Sequence, residues 1–479
     1  MSFHPSQLQA LRAGAMAVLL SVVLAVPARA SELGDLRAQL DALKSDYQAK
    51  IDALEARVVQ LEAQVAAQPP AQPPPPLAEQ APAPMPEAAT SGAAPGAGGA
   101  NAFNPAVSVI LGGRYAQLDA DPSTYRIAGF MPAGDEVGPG RRGFDLGESE
   151  LTLSANVDPY FYANLTASLT GDDTVSVEEA YVKTIALPDG LSLKGGRFFS
   201  GIGYLNEVHS HAWDFADQPL VYQAMFDGQL AQDGAQLKWL APTDMFIEFG
   251  AESGDGAQFP GTRLSGNGLN GGALLLHVGN DIGDSASWRA GVSWLSRRAE
   301  ERGFDDVDAS GAPVFDSFTG RSRTWIADAI LKWAPHGNGN LRSLKLQGEY
   351  LQRTEDGQLS QDGTLQPLAG GYHARQSGWY VQGVYQFLPR WRFGLRYDSL
   401  DSGAVAIGLV QQGLLPLADF NVLAAASPTR TSAMFDWNPS EFTRLRLQYA
   451  WDDARVSMRD RQLMLQYLYA IGAHGAHKF

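Results

Sequence analysis

The sequence predicts an all-β protein: a sixteen-stranded antiparallel transmembrane β-barrel over residues 101–479, preceded by a coiled-coil helix and a Pro/Ala-rich linker. Three observations lead there. Apolar and polar residues alternate with a period of two from Asn101 onward; the connections alternate between short and long; and after residue 30 no apolar run is long enough to cross a bilayer as a helix.

In chain order, residues 1–30 combine a polar start carrying His4 and Arg12, an apolar core from Ala15 to Val26, and Ala28-Arg29-Ala30 ahead of Ser31. This is the pattern of a cleavable secretory signal, so the mature chain is expected to be exported. Over 31–67, Leu33, Leu36, Leu40, Leu43, Tyr47, Ile51, Leu54, Val58, Leu61 and Val65 recur at three- and four-residue spacings. So narrow a seam marks a coiled coil, whose stripe is covered only by a partner helix. Two successive four-residue steps at Tyr47 interrupt the heptad as a stutter does. Residues 68–100 are rich in Pro, Ala and Gly, with Pro73 to Pro76 consecutive. They build no core and are expected to form a spacer reaching on the order of 100 Å.

The barrel segment shows its cleanest alternation at Phe161, Ala163, Leu165, Ala167 and Leu169, interleaved with Tyr162, Asn164, Thr166 and Ser168. Tight turns are expected at Asp158-Pro159, Pro188-Asp189-Gly190, Pro242-Thr243-Asp244, Leu388-Pro389-Arg390 and Pro439-Ser440-Glu441. Long Gly- and Asp-rich loops are expected at 119–143, 200–228, 297–321, 353–376 and 401–428. Short turns at one rim and long loops at the other fit a membrane barrel. Trp325 and Trp333, like Trp379 and Phe387, are eight residues apart, about 27 Å along a strand. An aromatic at each edge of an apolar band turns the apolar face outward to lipid. Leu463, Leu465, Tyr467, Tyr469 and Ile471 alternate in the final strand before the terminal Phe479. That strand looks like the segment outer-membrane assembly machinery reads, and it should close the barrel by pairing with the first strand near Val107 to Leu111.

Composition agrees. The chain holds 51 Gly, 10 Trp, 16 Tyr and 21 Phe, as many short strands, turns and aromatic girdles require. A mean hydropathy of -0.17 suits strands that show lipid only every second residue. The absence of Cys is compatible with export, since a closed barrel satisfies its own backbone and needs no disulfide. A net charge of -16, with no basic cluster interleaved with aromatics, argues against nucleic-acid binding.

With the apolar face outward, Glu148, Glu150, Glu179, Glu248 and Glu252 point into the lumen from the second, fourth and seventh strands. Arg289, Lys345, Arg392, Arg396, Arg444 and Arg446 do so from the ninth, eleventh, thirteenth and fifteenth. Acid lines one wall and base the other, a disposition that orders water and sieves solutes by charge. Lys194 and Arg197 complete the expected pore lining, although strict alternation puts them on opposite faces unless Gly195 or Gly196 forms a bulge.

The stretch Leu193-Lys194-Gly195-Gly196-Arg197-Phe198-Phe199-Ser200-Gly201-Ile202-Gly203, followed by Asn206, His209 and Asp217-Gln218-Pro219-Leu220, resembles the fifth-strand and third-loop region of the phosphate-selective porin O/P family. Gly394-Leu395-Arg396-Tyr397-Asp398 is similar to that family as well. The resemblance implies a trimeric sixteen-stranded outer-membrane channel; together with the residues it is read as a passive path for small hydrophilic or ionic solutes, the coiled coil in the periplasm helping to set the homotrimer. It also implies a third loop folded into the lumen, with Glu207, His209, His211, Trp213, Asp214 and Asp217 at the constriction. No dense ladder of inward Arg and Lys is present, so phosphate specificity is not carried over.

His209, His211 and Asp214 are the candidates should a transition metal bind, because imidazoles two apart on an extended chain share a side. Hydrogen-bonding histidines that pin the loop to the wall are the preferred reading, and no cofactor is expected. No nucleophile, base and orienting group assemble from the sequence, so no enzyme is expected. Two readings compete: a structural one, in which coiled coil and spacer tether the outer membrane to peptidoglycan and the barrel is mainly an anchor, and a channel that takes up metal ions.

Overall fold

The computed structural model describes residues 105–472 apart from 135–136, 172–173, 265–266, 363–366 and 457. The signal sequence, coiled coil, linker and Phe479 lie outside the described residues. Among the described residues, sixteen long strands form the wall. They begin with β1 (Ala106–Leu118), β2 (Ser149–Asn156), β3 (Phe161–Leu169), β4 (Val175–Thr184), β5 (Leu191–Phe199) and β6 (Ala231–Leu240). They continue with β7 (Phe246–Gly254), β8 (Gly271–Ile282), β9 (Ala286–Val307), β10 (Pro313–Trp333) and β11 (Ser343–Asp362). The rest are β12 (Leu368–Leu388), β13 (Trp391–Asp401), β14 (Thr429–Ser440), β15 (Thr443–Arg455) and β16 (Met458–Gly472). Each pairs antiparallel with its neighbours in sequence, and two short strands, Gly143–Asp145 and Ala406–Ile407, lie against β1 and β12. β16 closes the ring on β1, with Leu111 opposite Tyr469 and Tyr115 opposite Leu465. Every backbone edge is thereby paired, which is what a sheet needs to stand in an apolar medium.

The alternation has the polarity the sequence predicts. Leu346, Val381, Leu395, Leu447 and Leu465 are exposed on the outer face, whereas Gln347, Gln382, Arg396, Gln448 and Gln462 are buried inside. Outer aromatics flank the apolar residues: Trp391 stacks on Trp437, their ring centroids 5.6 Å apart, and Trp379 lies 5.5 Å from Tyr397. Trp325 and Trp333 are both exposed on the outside of β10.

Two of the expected long loops are strands instead. β9, β10, β11 and β12 run for 22, 21, 20 and 21 residues, so most of 297–321 and 353–376 is regular sheet. At about 3.4 Å per residue these strands reach about 70 Å, far beyond an apolar band of about 25 Å. The reason lies in how the pattern changes along each strand. Beyond the band, charged residues such as Arg298, Glu300, His373 and Arg375 face outward, while Phe304, Phe318, Leu359, Tyr372 and Ala374 are buried inward. The period of two persists with its polarity reversed, so charge on the outer face reads as loop.

The inward apolar residues are covered by connections. Segment 200–230 carries a short helix, α1 (Leu220–Phe226), every residue of which is buried. Its Leu220, Val221, Met225 and Phe226 pack with Tyr125, Ile127 and Phe130 of the first connection and with Leu295, Ile326, Leu351 and Tyr380 of β9 to β12. A second cluster joins Phe304, Phe318, Leu359 and Tyr372 to Leu409, Phe420, Val422 and Leu423 of the β13–β14 connection.

Candidate functional site in the barrel interior

The acidic side is built on β2, β4 and β7. In β2 the alternation exposes Leu151 outside and buries Glu150, only 3% exposed, inside; Glu148 stands just ahead of the strand. In β4 the register slips, with Thr166 opposite Glu179 but Ala167 opposite Val177. This bulge turns the consecutive residues Glu178 and Glu179 both toward the interior. Glu248 of β7 lies 3.3 Å from Lys238 and 3.2 Å from His277, and Glu252 accepts hydrogen bonds from Ser200, the Gly201 amide, Gln232 and Gln236.

The basic side lies on β9 to β15. Arg446 reaches Asp436 with Nε and Nη2 at 2.8 and 3.0 Å, both side chains almost fully buried. Arg396 bonds Asp398 at 3.0 Å, and Arg289 stands 3.8 Å from Asp328 while donating to the Gly203 carbonyl. Asp328, Asp436 and Arg430 of β14 also belong to this wall and are not among the residues expected from the sequence. The carboxylates offset much of its charge, since a buried cation needs a partner.

Segment 200–230 contacts both sides. On the acidic side, His209 Nδ1 lies 3.1 Å from Glu178 and 3.5 Å from Glu150, its Nε2 lies 3.1 Å from Glu179, and His211 Nδ1 lies 2.8 Å from Glu150. Glu207 is 3.3 Å from Lys238, and Lys194 of β5 sits 4.7 Å from the Tyr181 ring. On the basic side, Asp214 pairs with Lys345 at 2.8 Å and Arg392 at 3.3 Å. Asp217 pairs with Arg396 at 2.8 Å and Arg430 at 2.9 Å, and accepts from Gln448 at 2.7 Å. Between them, the Tyr204 and Leu205 amides and the Tyr222 and Tyr380 hydroxyls all donate to Glu349 of β11. Gly203, at φ +64°, permits this approach: a Cβ there would fall 2.2 Å from Glu349 Oε2.

The ionisation of the segment follows its neighbours. Burial would raise the carboxyls, but Lys345 and Arg392 hold Asp214 at about 2, and Arg396 with Arg430 holds Asp217 at about 2. Glu207 is held at about 2 against burial by Lys238 and Lys194. Burial would lower His209, yet its hydrogen bonds to Glu150, Glu178 and Glu179 raise it well above the usual imidazole value.

Two placements differ from the expected set. Arg197 stands apart from Lys194, on the face it shares with the exposed Leu191 and Leu193, and is paired to Asp233 at 2.6 Å. β5 keeps register with β6 through Gly195 and Gly196, so no bulge turns Arg197 inward. Asp214 lies with cations rather than with the histidines; the carboxylates beside His209 are those of Glu150 and Glu178, which among the described residues form the one His/carboxylate group close enough to share an ion. Glu178 could not be found by strict alternation, which sends it to lipid.

A cavity of about 810 Å³ opens at the rim of short turns. Lys332, Lys345, Arg390, Arg392 and Arg444 line it, against Asp214 and Glu441. Arg444 donates to the carbonyls of His211 and Trp213 and, among the described residues, has no carboxylate within ion-pair distance.

A protein of Aquifex aeolicus (strain VF5), described only as uncharacterized, is 32% identical over 360 residues, 71% of each chain. The chain belongs to that protein's family. No family model matches it. Solved structures with a similar fold include in-vitro folded OmpT, an outer membrane protein of Vibrio cholerae, at 12% identity and a TM-score of 0.48, covering 78% of this chain and 99% of that one. The outer membrane channel DcaP of Acinetobacter baumannii aligns at 11% identity and a TM-score of 0.45, covering 77% and 97%. At these values the likeness transfers neither function nor assembly.

Proposed function

We propose that this family member is an outer-membrane porin, a passive water-filled channel for small ions or hydrophilic solutes, with segment 200–230 as its constriction. The observation that carries the reading is the charge pattern of that segment. Its histidines meet the acidic wall and its aspartates meet the basic wall, so the segment bridges the interior instead of lying along one side. Opposite charges that flank a narrow aqueous path sort solutes by charge and dipole. The apolar outer band and its aromatics support a membrane setting, and the resemblance of 193–203 to the phosphate-selective porin O/P family supports a channel, though not phosphate as its solute.

On the basic wall the charges are largely paired, so selectivity at the short-turn mouth falls to those that are not. The vestibule is predominantly basic and Arg444 lacks a carboxylate partner, which favours anions at the short-turn mouth. The working form is a homotrimer, set by barrel contacts and by the coiled coil of 31–67 on the periplasmic side. Reversal potentials in a salt gradient across planar bilayers test this. Anion preference that falls in Arg444→Ala is expected; cation preference unchanged by that substitution would refute the assignment.

A further inference from the structure

The cluster around His209 has a composition that hydrogen bonding to the wall does not account for. Glu150, Glu178 and Glu179 converge there, and among the described residues no Lys or Arg lies within ion-pair distance of any of the three. Glu178 Oε1 is buried without a hydrogen-bond partner. We propose that Glu150, Glu178 and His209 form a binding site for a divalent transition-metal ion of the zinc class, clamping segment 200–230 to the acidic wall.

The geometry supplies a ligand set and the groups that orient it. His209 Nδ1 lies 3.1 Å from Glu178 Oε2 and 3.5 Å from Glu150 Oε2. Ligand atoms about 2.1 Å from a tetrahedral ion are about 3.4 Å apart, so these edges need little adjustment to accept one. His209 Nε2 lies 3.1 Å from Glu179 Oε2; donating its proton there fixes the tautomer that leaves the Nδ1 lone pair for metal. Glu150 Oε1 is held by His211 Nδ1 at 2.8 Å and by the Ser210 hydroxyl at 3.3 Å, so its other oxygen stays aimed at His209. Phe199 meets the His209 ring edge-on at 5.2 Å and restricts its rotation. One imidazole and two carboxylates leave a fourth position for water, and the imidazole selects for transition metals over calcium or magnesium, which take oxygen ligands.

The site stands on this geometry alone and holds whether or not the barrel conducts. Untagged full-length protein in detergent, stripped with chelator, would be titrated with Zn(II) by calorimetry. One saturable site per chain is expected, weakened at least about tenfold in Glu178→Gln and His209→Ala, unchanged in the remote surface variant His336→Ala, and not displaced by excess Ca(II). Glu179→Gln, acting through the His209 tautomer, should weaken it by about 10- to 100-fold. Absence of stoichiometric binding, equal competition by Ca(II), or affinity untouched in both ligand variants would overturn the proposal. Anomalous diffraction from zinc-soaked wild-type crystals does not depend on variants folding: a peak beside His209 Nδ1 supports the site, and a peak only at other histidines refutes it.

Discussion

Asp217 shows how much rests on single carboxylates. It holds two guanidiniums, Arg396 and Arg430, each about 1% exposed. Asp217→Asn removes one counter-charge from both cations while Asp398 stays beside each, so the cost should fall below about 3–5 kcal/mol, that of leaving a buried charge unpaired. A lowered midpoint of thermal unfolding is expected, with larger conductance if the segment detaches first. Because Asp214 and Asp217 are both held at about 2, below their ordinary 3.8, they stabilise the attached segment fully above that ordinary value. That contribution fades only as pH falls through about 2. The conductance difference between wild type and Asp214→Asn or Asp217→Asn should therefore be steady between pH 7 and pH 4 and shrink below, and a difference that already vanishes near pH 6 would contradict the assignment of these two anchors. At this scale the sequence was legible where alternation was strict: Glu150, Glu248, Lys345, Arg392, Arg396, Arg444 and Arg446 fall on the interior side. It did not reach Glu178, where one bulge reverses a face, whereas Lys194 and Arg197 lie on opposite faces, as alternation without a bulge requires. Neither Gly195 nor the run at 177–179 declares which of the two will slip.

Segment 200–230 was legible as a long connection because it lacks alternation and is rich in turn residues. Its partners were not, since they lie on strands up to 233 residues away and long-range pairing leaves no local pattern. Its attachment centres on Glu349, which accepts four hydrogen bonds from Tyr204, Leu205, Tyr222 and Tyr380. Tyr222→Phe removes one of them and should destabilise the attached state by about 1.5–3 kcal/mol, read as earlier proteolysis within 200–230. Gly203→Ala should act more strongly, because the added Cβ collides with Glu349 Oε2. The chain has no Cys, so a single engineered pair reports cleanly. The Ala216 amide donates to Gln448 Oε1 at 2.8 Å, and Ala216→Cys with Gln448→Cys should cross-link through a short bifunctional thiol reagent. The tall strands β9 to β12 teach a related lesson: a period of two survives a change of surroundings, but a reader who expects apolar residues outside mistakes its inverted half for loop.

For the whole molecule, the closed ring, the number of strands, the pairing of last strand with first, and the rim of short turns all follow from periodicity and turn chemistry. What periodicity cannot convey is how far the interior is filled. Apolar clusters from three connections pack within the barrel, and the open space gathers into a basic vestibule at one mouth. In the porin function proposed above, the bottleneck is the segment that ties the two charged walls together. Single-channel recording in planar bilayers, comparing the full chain with a variant in which Glu207 to Asp217 is replaced by a short Gly/Ser linker, tests this most directly. Small, stable open conductance is expected for the full chain and a severalfold increase for the variant. Equal conductance in the two, or none in either from correctly folded protein, would contradict it.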